Sequence, residues 1–331
     1  MYGYEMTQIH NIFTDGFFMC SGIFLAKGIE KLRISLGTNN IDIFVRETQN
    51  RISRLWGPFA FSTVLYIIME VYIFPDLVYD SIINVWANLL FVSGINGISG
   101  LGSTWYVSAL FWCGLIISAL LVYKPNISKT CFLPVIILLS YSFMNIYTCN
   151  NLEGTPIIWG CISTGHIRAL GVLSMGVEIF YFSNYLGEHI NKQILREKKI
   201  LIAVIELLAS LVLVYSALSK GLNTKSFLIY PSFGILCIIF LNHLEVVYNF
   251  TNGRIISFFI QKFVKYSYMI YLVHMIVLLV FREVVCISAS YEPEVVYPLM
   301  MLCSIIIGIV CYWAERGIHV LFNMRIKQYF I

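Results

Sequence analysis

His274 lies inside the apolar run Tyr268–Phe281, about two turns from its start. An ionisable side chain in such a run is costly to bury, so it marks a base, a proton relay or a hydrogen-bonded structural group. Glu178 and Glu206 also fall within apolar runs. Either would be protonated unless a cation such as Arg168 answered it. Arg51 and Arg54 are three residues apart just ahead of Trp56-Gly57-Pro58, a spacing that puts both on one helical face. They read as a basic anchor beside an interfacial Trp, or as a clamp for a phosphorylated ligand, because guanidinium donors match phosphate oxygens. Trp105-Tyr106 opens another apolar run, preceded by Ser99, Gly100 and Gly102. That pair reads as part of an aromatic belt or as a platform on which a sugar stacks.

Other chemistries find little support. His166, His189 and His319 are far apart in sequence, and His243 with Glu245 are only two apart, so no metal cluster is expected. A Gly-rich phosphate loop is missing from the sequence. Gly165, Gly171 and Gly176 suit close helix packing instead. Cys149 and Cys161 share one loop and leave a disulfide open if that loop meets an oxidising compartment.

The elements that must position these residues follow from composition. The chain has 331 residues, 59% hydrophobic and only 12% charged, against about 25% charged in a soluble domain. A water-facing surface with so few charges would expose large apolar patches. The expected fold is an all-α polytopic membrane helix bundle forming a single domain over residues 1–331. Spanning helices need about 20 apolar residues. Nine are expected: Ile12–Gly28, Trp56–Phe74, Thr104–Tyr123, Cys131–Tyr147, Ile167–Tyr185, Ile200–Leu218, Phe227–Val247, Tyr266–Phe281 and Val295–Trp313. Ile82–Val92 is too short to span and reads as a re-entrant or interfacial helix. Asp15 is expected at a membrane interface, and the connection Ile29–Leu55 has room for one amphipathic helix.

Basic residues alternate between connections. Lys27–Arg54 holds six, whereas Pro75–Ser103 and Cys149–His166 hold none. By the positive-inside rule the C-terminus is cytoplasmic and the first residues are on the far side. Met1–Asn11 has neither a basic segment nor an apolar run, so it is no signal peptide. An N-terminus on the far side asks for one further helix upstream. The charge of +4 is 22 basic less 18 acidic residues, and its place between the apolar runs gives no reason to expect nucleic acid as a partner.

Five fragments in order resemble the acyltransferase 3 family of integral-membrane O-acyltransferases. Asp15-Gly16-Phe17-Phe18-Met19-Cys20-Ser21-Gly22-Ile23-Phe24 is similar to its "FF-x-x-SG-[FY]" helix, and Arg51-Ile52-Ser53-Arg54 to its cytoplasmic Arg-x-x-Arg. Trp105-Tyr106-Val107-Ser108-Ala109-Leu110 resembles "W-[FY]-L-x-x-L", and Ser267-Tyr268-Met269-Ile270-Tyr271-Leu272-Val273-His274 resembles "SY-x-[IL]-YL-x-H". Glu315-Arg316 is similar to the closing "ERP", with Gly317 in place of Pro. The resemblance implies transfer of an acyl group, usually acetyl, from cytoplasmic acyl-CoA to a hydroxyl of an extracytoplasmic polysaccharide, lipopolysaccharide or lipid-linked glycan, in a bacterial inner membrane. Acyl-CoA is then a donor substrate, with no bound cofactor. Arg51 and Arg54 would meet the CoA phosphates, and Trp105, Tyr106 and Arg168 the acceptor. His274 would be catalytic, and Ser267, Tyr268, Tyr271 and Glu315 structural or functional. The family opens with a helix that carries an Arg and a His regarded as catalytic. No such helix precedes Asp15 here, which implies a start set too late or a truncated, non-catalytic product; His10 is the substitute far-side base that the sequence offers.

Two further readings compete. A transporter or flippase of lipid-linked saccharides predicts internal symmetry or paired broken helices, and the sequence shows neither. A glycan polymerase predicts a large far-side loop rich in Arg, whereas Pro75–Ser103 has none.

Overall fold

The computed structural model describes residues 9–37, 39–93, 95, 104–147, 157–158, 162–189, 198–218, 228–244, 254–283 and 293–329. The elements are α1 (Ile9–Leu36), α2 (Asn40–Ile73), α3 (Val78–Leu89), α4 (Thr104–Tyr123), the single turn α5 (Pro125–Ile127), α6 (Leu133–Tyr147), α7 (Thr164–His189), α8 (Lys199–Leu218), α9 (Ile229–Leu241), α10 (Arg254–Glu283) and α11 (Pro293–Tyr329). A two-residue hairpin pairs β1 (Ile157–Ile158) with β2 (Ile162–Ser163) ahead of α7, the one departure from an all-helical reading among the described residues.

Among the described residues, seven helices are long and apolar enough to cross a membrane. They lie in Asn40–Ile73, Thr104–Tyr123, Pro125–Ile146, Thr164–His189, Lys199–Ser216, Val264–Phe281 and Pro298–Ile318. Two of the nine expected crossings are not among these. One is α1, a helix of 28 residues. The other is α9, cut to 13 residues because the chain turns at Asn242-His243. His243 takes a left-handed φ of 56°, and Leu244 N–H reaches back to the Ile239 carbonyl, which is a helix-ending cap. The connection expected over Ile29–Leu55 is mostly absorbed by its neighbours: α1 runs on to Leu36, and α2 begins at Asn40 and continues through Pro58 to Ile73. Cys149, Cys161 and the stretch 96–103 lie outside the described residues.

The chain divides into two compact units. The first comprises residues 1–49 and 109–252. Its centre is the packing of α1 on α7, with α6 against α7 and α9 against α8. A Cβ at Gly22 would strike the Leu173 backbone, and one at Gly176 would strike the Met19 backbone. The two helices therefore cross backbone to backbone, which only small residues allow. Gly171 serves likewise against Ser140 on α6. Between α5 and α6 the residues Ser128–Phe132 form a π-helical turn, with Leu133 N–H bonded to the Ser128 carbonyl. Pro134 follows, and its missing N–H removes the bond that an α-helix would place there.

The second unit comprises residues 50–108 and 253–331. Here α10 packs on α11, and a Cβ at Gly308 would meet the Ile270 backbone. Met269, Val273, Ile276 and Cys311 form its core, with Phe61, Leu65, Tyr66, Met69 and Tyr312 packed around them.

Candidate active site

Most of the sequence-selected residues fall in the second unit, along α2, α4, α10 and α11. At one level, the Tyr268 hydroxyl donates to the Leu55 carbonyl at 3.2 Å. Gly57, two residues on, leaves room for the Glu315 carboxylate, whose Oε1 would sit 2.9 Å from a Cβ placed there. Arg54 is exposed on this stretch of α2, and its Nε donates to the Asn50 carbonyl at 3.1 Å. Pro58 has no N–H to give to the Arg54 carbonyl, so this turn of α2 keeps an acceptor that an uninterrupted helix would use. Arg51 does not share that exposure. It belongs to a buried stripe of α2 with Ile43 and Glu47 at four-residue steps and Phe59 eight residues on, while Arg46 and Arg54 face outward. The expected common face of Arg51 and Arg54 is thus split between a buried and an exposed guanidinium. Ser267 donates to the Val264 carbonyl one turn back on its own helix.

Two turns further along α10, the His274 ring meets Tyr271. Its Nδ1 contacts the Tyr271 carbonyl. A carbonyl only accepts, so in a hydrogen bond there Nδ1 is the donor. The Tyr271 ring lies 5.2 Å from the His274 ring and 4.8 Å from that of Tyr106 on α4. Tyr106 is 4% exposed, so it is a packing partner of Tyr271 and not an open sugar platform. Trp105 stands edge-on to Tyr106, half-buried. One row thus runs Trp105, Tyr106, Tyr271, His274. A hydroxyl delivered to Nε2 would find a base whose orientation is fixed from behind.

Arg168 belongs elsewhere. In the first unit its Nε donates to Asp15 Oδ1 at 2.8 Å, and both side chains are almost wholly buried. The Tyr230 hydroxyl donates to the second Asp15 oxygen at 2.9 Å, and the Tyr141 ring packs on Tyr230. The partnership expected of Arg168 with Glu178 or Glu206 is corrected: the buried Asp15 answers the arginine. The physical reason is the Gly22–Gly176 crossing, which brings α1 and α7 close enough for a short carboxylate to reach. A second cluster joins Glu30 Oε1 to Arg33 (3.1 Å), Lys129 (3.4 Å) and the Tyr181 hydroxyl (2.7 Å). Lys129 also lies over the Tyr181 ring. Glu30 lies just beyond the expected span Ile12–Gly28. Burial there raises its pKa, but the Tyr181 hydrogen bond and the two cations outweigh this and hold it below its ordinary value. His10 is in the first turn of α1, where side chains lie outside the described residues. Among the described residues no group of His, Cys, Asp or Glu could hold a metal ion.

Sequence reasoning passed over the Asp15–Arg168 pair, although a carboxylate and a guanidinium in separate apolar runs were a signal for it. It also passed over Phe91, which takes a left-handed φ of 59°, and no pattern in the sequence announced that.

The sequence matches the family described as "Acyltransferase domain", acyltransferase 3, over residues 2–313. No curated protein and no solved structure matches it.

Proposed function

Because the chain belongs to the acyltransferase 3 family of integral-membrane acyltransferases, we propose that it moves an acetyl or other short acyl group from acyl-CoA to a hydroxyl of a surface glycan. The single observation that carries this reading is the family match over residues 2–313, and the contact of His274 Nδ1 with the Tyr271 carbonyl makes His274 the base we assign. In the reaction, the sugar oxygen attacks the thioester carbonyl carbon as its proton passes to His274 Nε2. The tetrahedral species then expels the CoA sulfur, which takes the proton back from His274. Arg54, exposed one turn from the Glu315–Gly57 contact, is the outer anchor for CoA phosphates, and buried Arg51 holds positive charge behind it. Trp105 belongs to the acceptor end, with the buried Tyr106 packed behind it. Arg168 contributes by holding α1 to α7, since its guanidinium is committed to Asp15.

The proposed topology has nine crossings, with α1 and α9 joining the seven long apolar helices, and a cytoplasmic C-terminus in a bacterial inner membrane. It treats the whole chain as one catalytic domain. The acceptor classes are polysaccharide, lipopolysaccharide and lipid-linked glycan. The test compares O-acyl esters on surface glycans from cells with and without the gene, with radiolabelled acetyl-CoA supplied to isolated membranes. Ester label that depends on the protein supports the reading. Equal label in both membranes contradicts it.

A further inference from the structure

In the second unit, Lys265 sits among three aromatic rings. Its Nζ lies 5.4 Å from the Tyr266 ring centroid, 5.2 Å from that of Tyr312 and 4.9 Å from that of Trp313, all within reach of a cation–π attraction. The rings stand nearly perpendicular to one another, Tyr312 meeting Tyr266 at 85° and Trp313 at 86°. Tyr266 belongs to α10 and the other two rings to α11, so the cage closes the seam where these helices pack. Rings attract an ammonium, yet its three N–H donors still want oxygen acceptors. Lys265 is exposed, and among the described residues no carboxylate, carbonyl or hydroxyl accepts from it.

A second cation stands beside the first. Arg316 is exposed, and its Nη1 donates to the Tyr312 hydroxyl at 3.4 Å. One tyrosine thus has a guanidinium at its hydroxyl and an ammonium near its ring. Glu315, the carboxylate of this turn, lies against Gly57 on α2 and forms no ion pair with either cation among the described residues. Two like charges that share a tyrosine repel each other, and an anion placed between them turns that repulsion into attraction.

Depth selects the anion. The stretches long and apolar enough to cross a membrane are Val264–Phe281 in α10 and Pro298–Ile318 in α11. Lys265 is in the first turn of one and Arg316 in the last turn of the other. The cage therefore lies at the edge of the hydrocarbon layer, where Trp and Tyr rings gather. Phospholipid phosphates line that depth, and basic pockets between crossing helices take up anionic headgroups. A headgroup with its own ammonium is repelled by the two cations, whereas one ending in a neutral alcohol is not.

We propose that Lys265 and Arg316 bind the phosphate of an anionic phospholipid at the α10–α11 seam, with the half-exposed Trp313 ring against its glycerol and upper acyl chain. The phosphate oxygens accept from Lys265 Nζ and from the Arg316 N–H groups not given to Tyr312. The inference needs only that both helices cross the bilayer, and it stands apart from the acyl-transfer reading.

The experiment uses the full chain, purified in non-ionic detergent, stripped of lipid and titrated with phosphatidylglycerol or phosphatidylcholine. Native mass spectrometry follows the first lipid bound. Wild type should take phosphatidylglycerol about tenfold more tightly than phosphatidylcholine. Lys265→Gln and Arg316→Gln should each weaken phosphatidylglycerol about fivefold and leave phosphatidylcholine unchanged. Lys265→Arg keeps a charge that stacks on rings and should stay within about twofold of wild type. Lys124→Gln removes an exposed lysine outside the cage, reports general surface charge and should also stay within about twofold. Equal losses from Lys265→Gln and Lys124→Gln overturn the site, as does equal binding of the two lipids by wild type. Displacement of bound phosphatidylglycerol by added CoA assigns the cage to a nucleotide phosphate and overturns the lipid as its occupant.

Discussion

The two units of this chain differ in their buried charges: the first holds closed ion pairs, and the second buries Arg51. In the first, Asp15 is answered by Arg168 and Tyr230, and Glu30 by Arg33, Lys129 and Tyr181. In the second, Thr63 Oγ1 and both polar atoms of the Asn88 side chain have no partner among the described residues, as Ser174 Oγ and Glu178 Oε1 have none in the first. Closed ion pairs rigidify, because each charge fixes the other and neither has spare capacity. The contrast teaches that charge in an apolar helix need not mark the reacting centre. Here the Asp15–Arg168 pair joins α1 to α7, and the base we propose is an imidazole in the other unit.

Removing one half of a closed pair is the harshest way to break this contrast. Arg168→Met leaves Asp15 buried without its cation and should destabilise the fold by about 3–5 kcal/mol. Thermal unfolding in detergent measures it, and the double variant Asp15→Asn/Arg168→Met should recover part of the loss. If Arg168→Met instead keeps wild-type stability and loses only acceptor binding, the clamp assignment fails. Next in size is Gly176→Ala, whose new methyl meets the Met19 backbone; overpacking of this kind costs about 1–3 kcal/mol. The same unfolding assay should show the loss, while Gly317→Ala, which meets nothing within reach, should leave stability unchanged.

Arg54→Ala sharpens the comparison from the other unit. It should raise KM for acetyl-CoA about tenfold and leave thermal unfolding unmoved, because the side chain is exposed. Glu30 gives the smallest effect. Its folded pKa is depressed, so its stabilising contribution is present above the ordinary value of 4.5 and fades as pH falls through the lower folded value. The carboxylate is one-third exposed, and solvent screening keeps the effect under about 1 kcal/mol. Glu30→Gln should flatten the acid limb of the stability profile and leave the profile near neutrality little changed.

Much of the scaffold is legible from sequence, because each apolar run of membrane length forms a helix with its own backbone bonds satisfied. Thr104–Tyr123 coincides with the expected span to the residue. The break after Leu241 was not legible, since a left-handed turn at His243 leaves no compositional trace. Nor was the start of α2 at Asn40, sixteen residues ahead of the expected span at Trp56. At the candidate site, the His274 motif and Tyr268 could be read because their spacing is local to one helix. The Asp15–Arg168 pair, the burial of Arg51 and the unpartnered Thr63 could not. Each depends on which helix lies beside which, and hydropathy along one chain does not encode that.

The central claim is that His274 takes the proton during acyl transfer, and His274→Gln tests it most directly. Glutamine can still hydrogen-bond nearby but cannot accept a proton at neutral pH. Acetyl transfer from labelled acetyl-CoA to membrane glycans should fall about 100- to 10,000-fold, with thermal unfolding of the purified variant unchanged. Transfer at the wild-type rate by a folded His274→Gln protein would contradict the account.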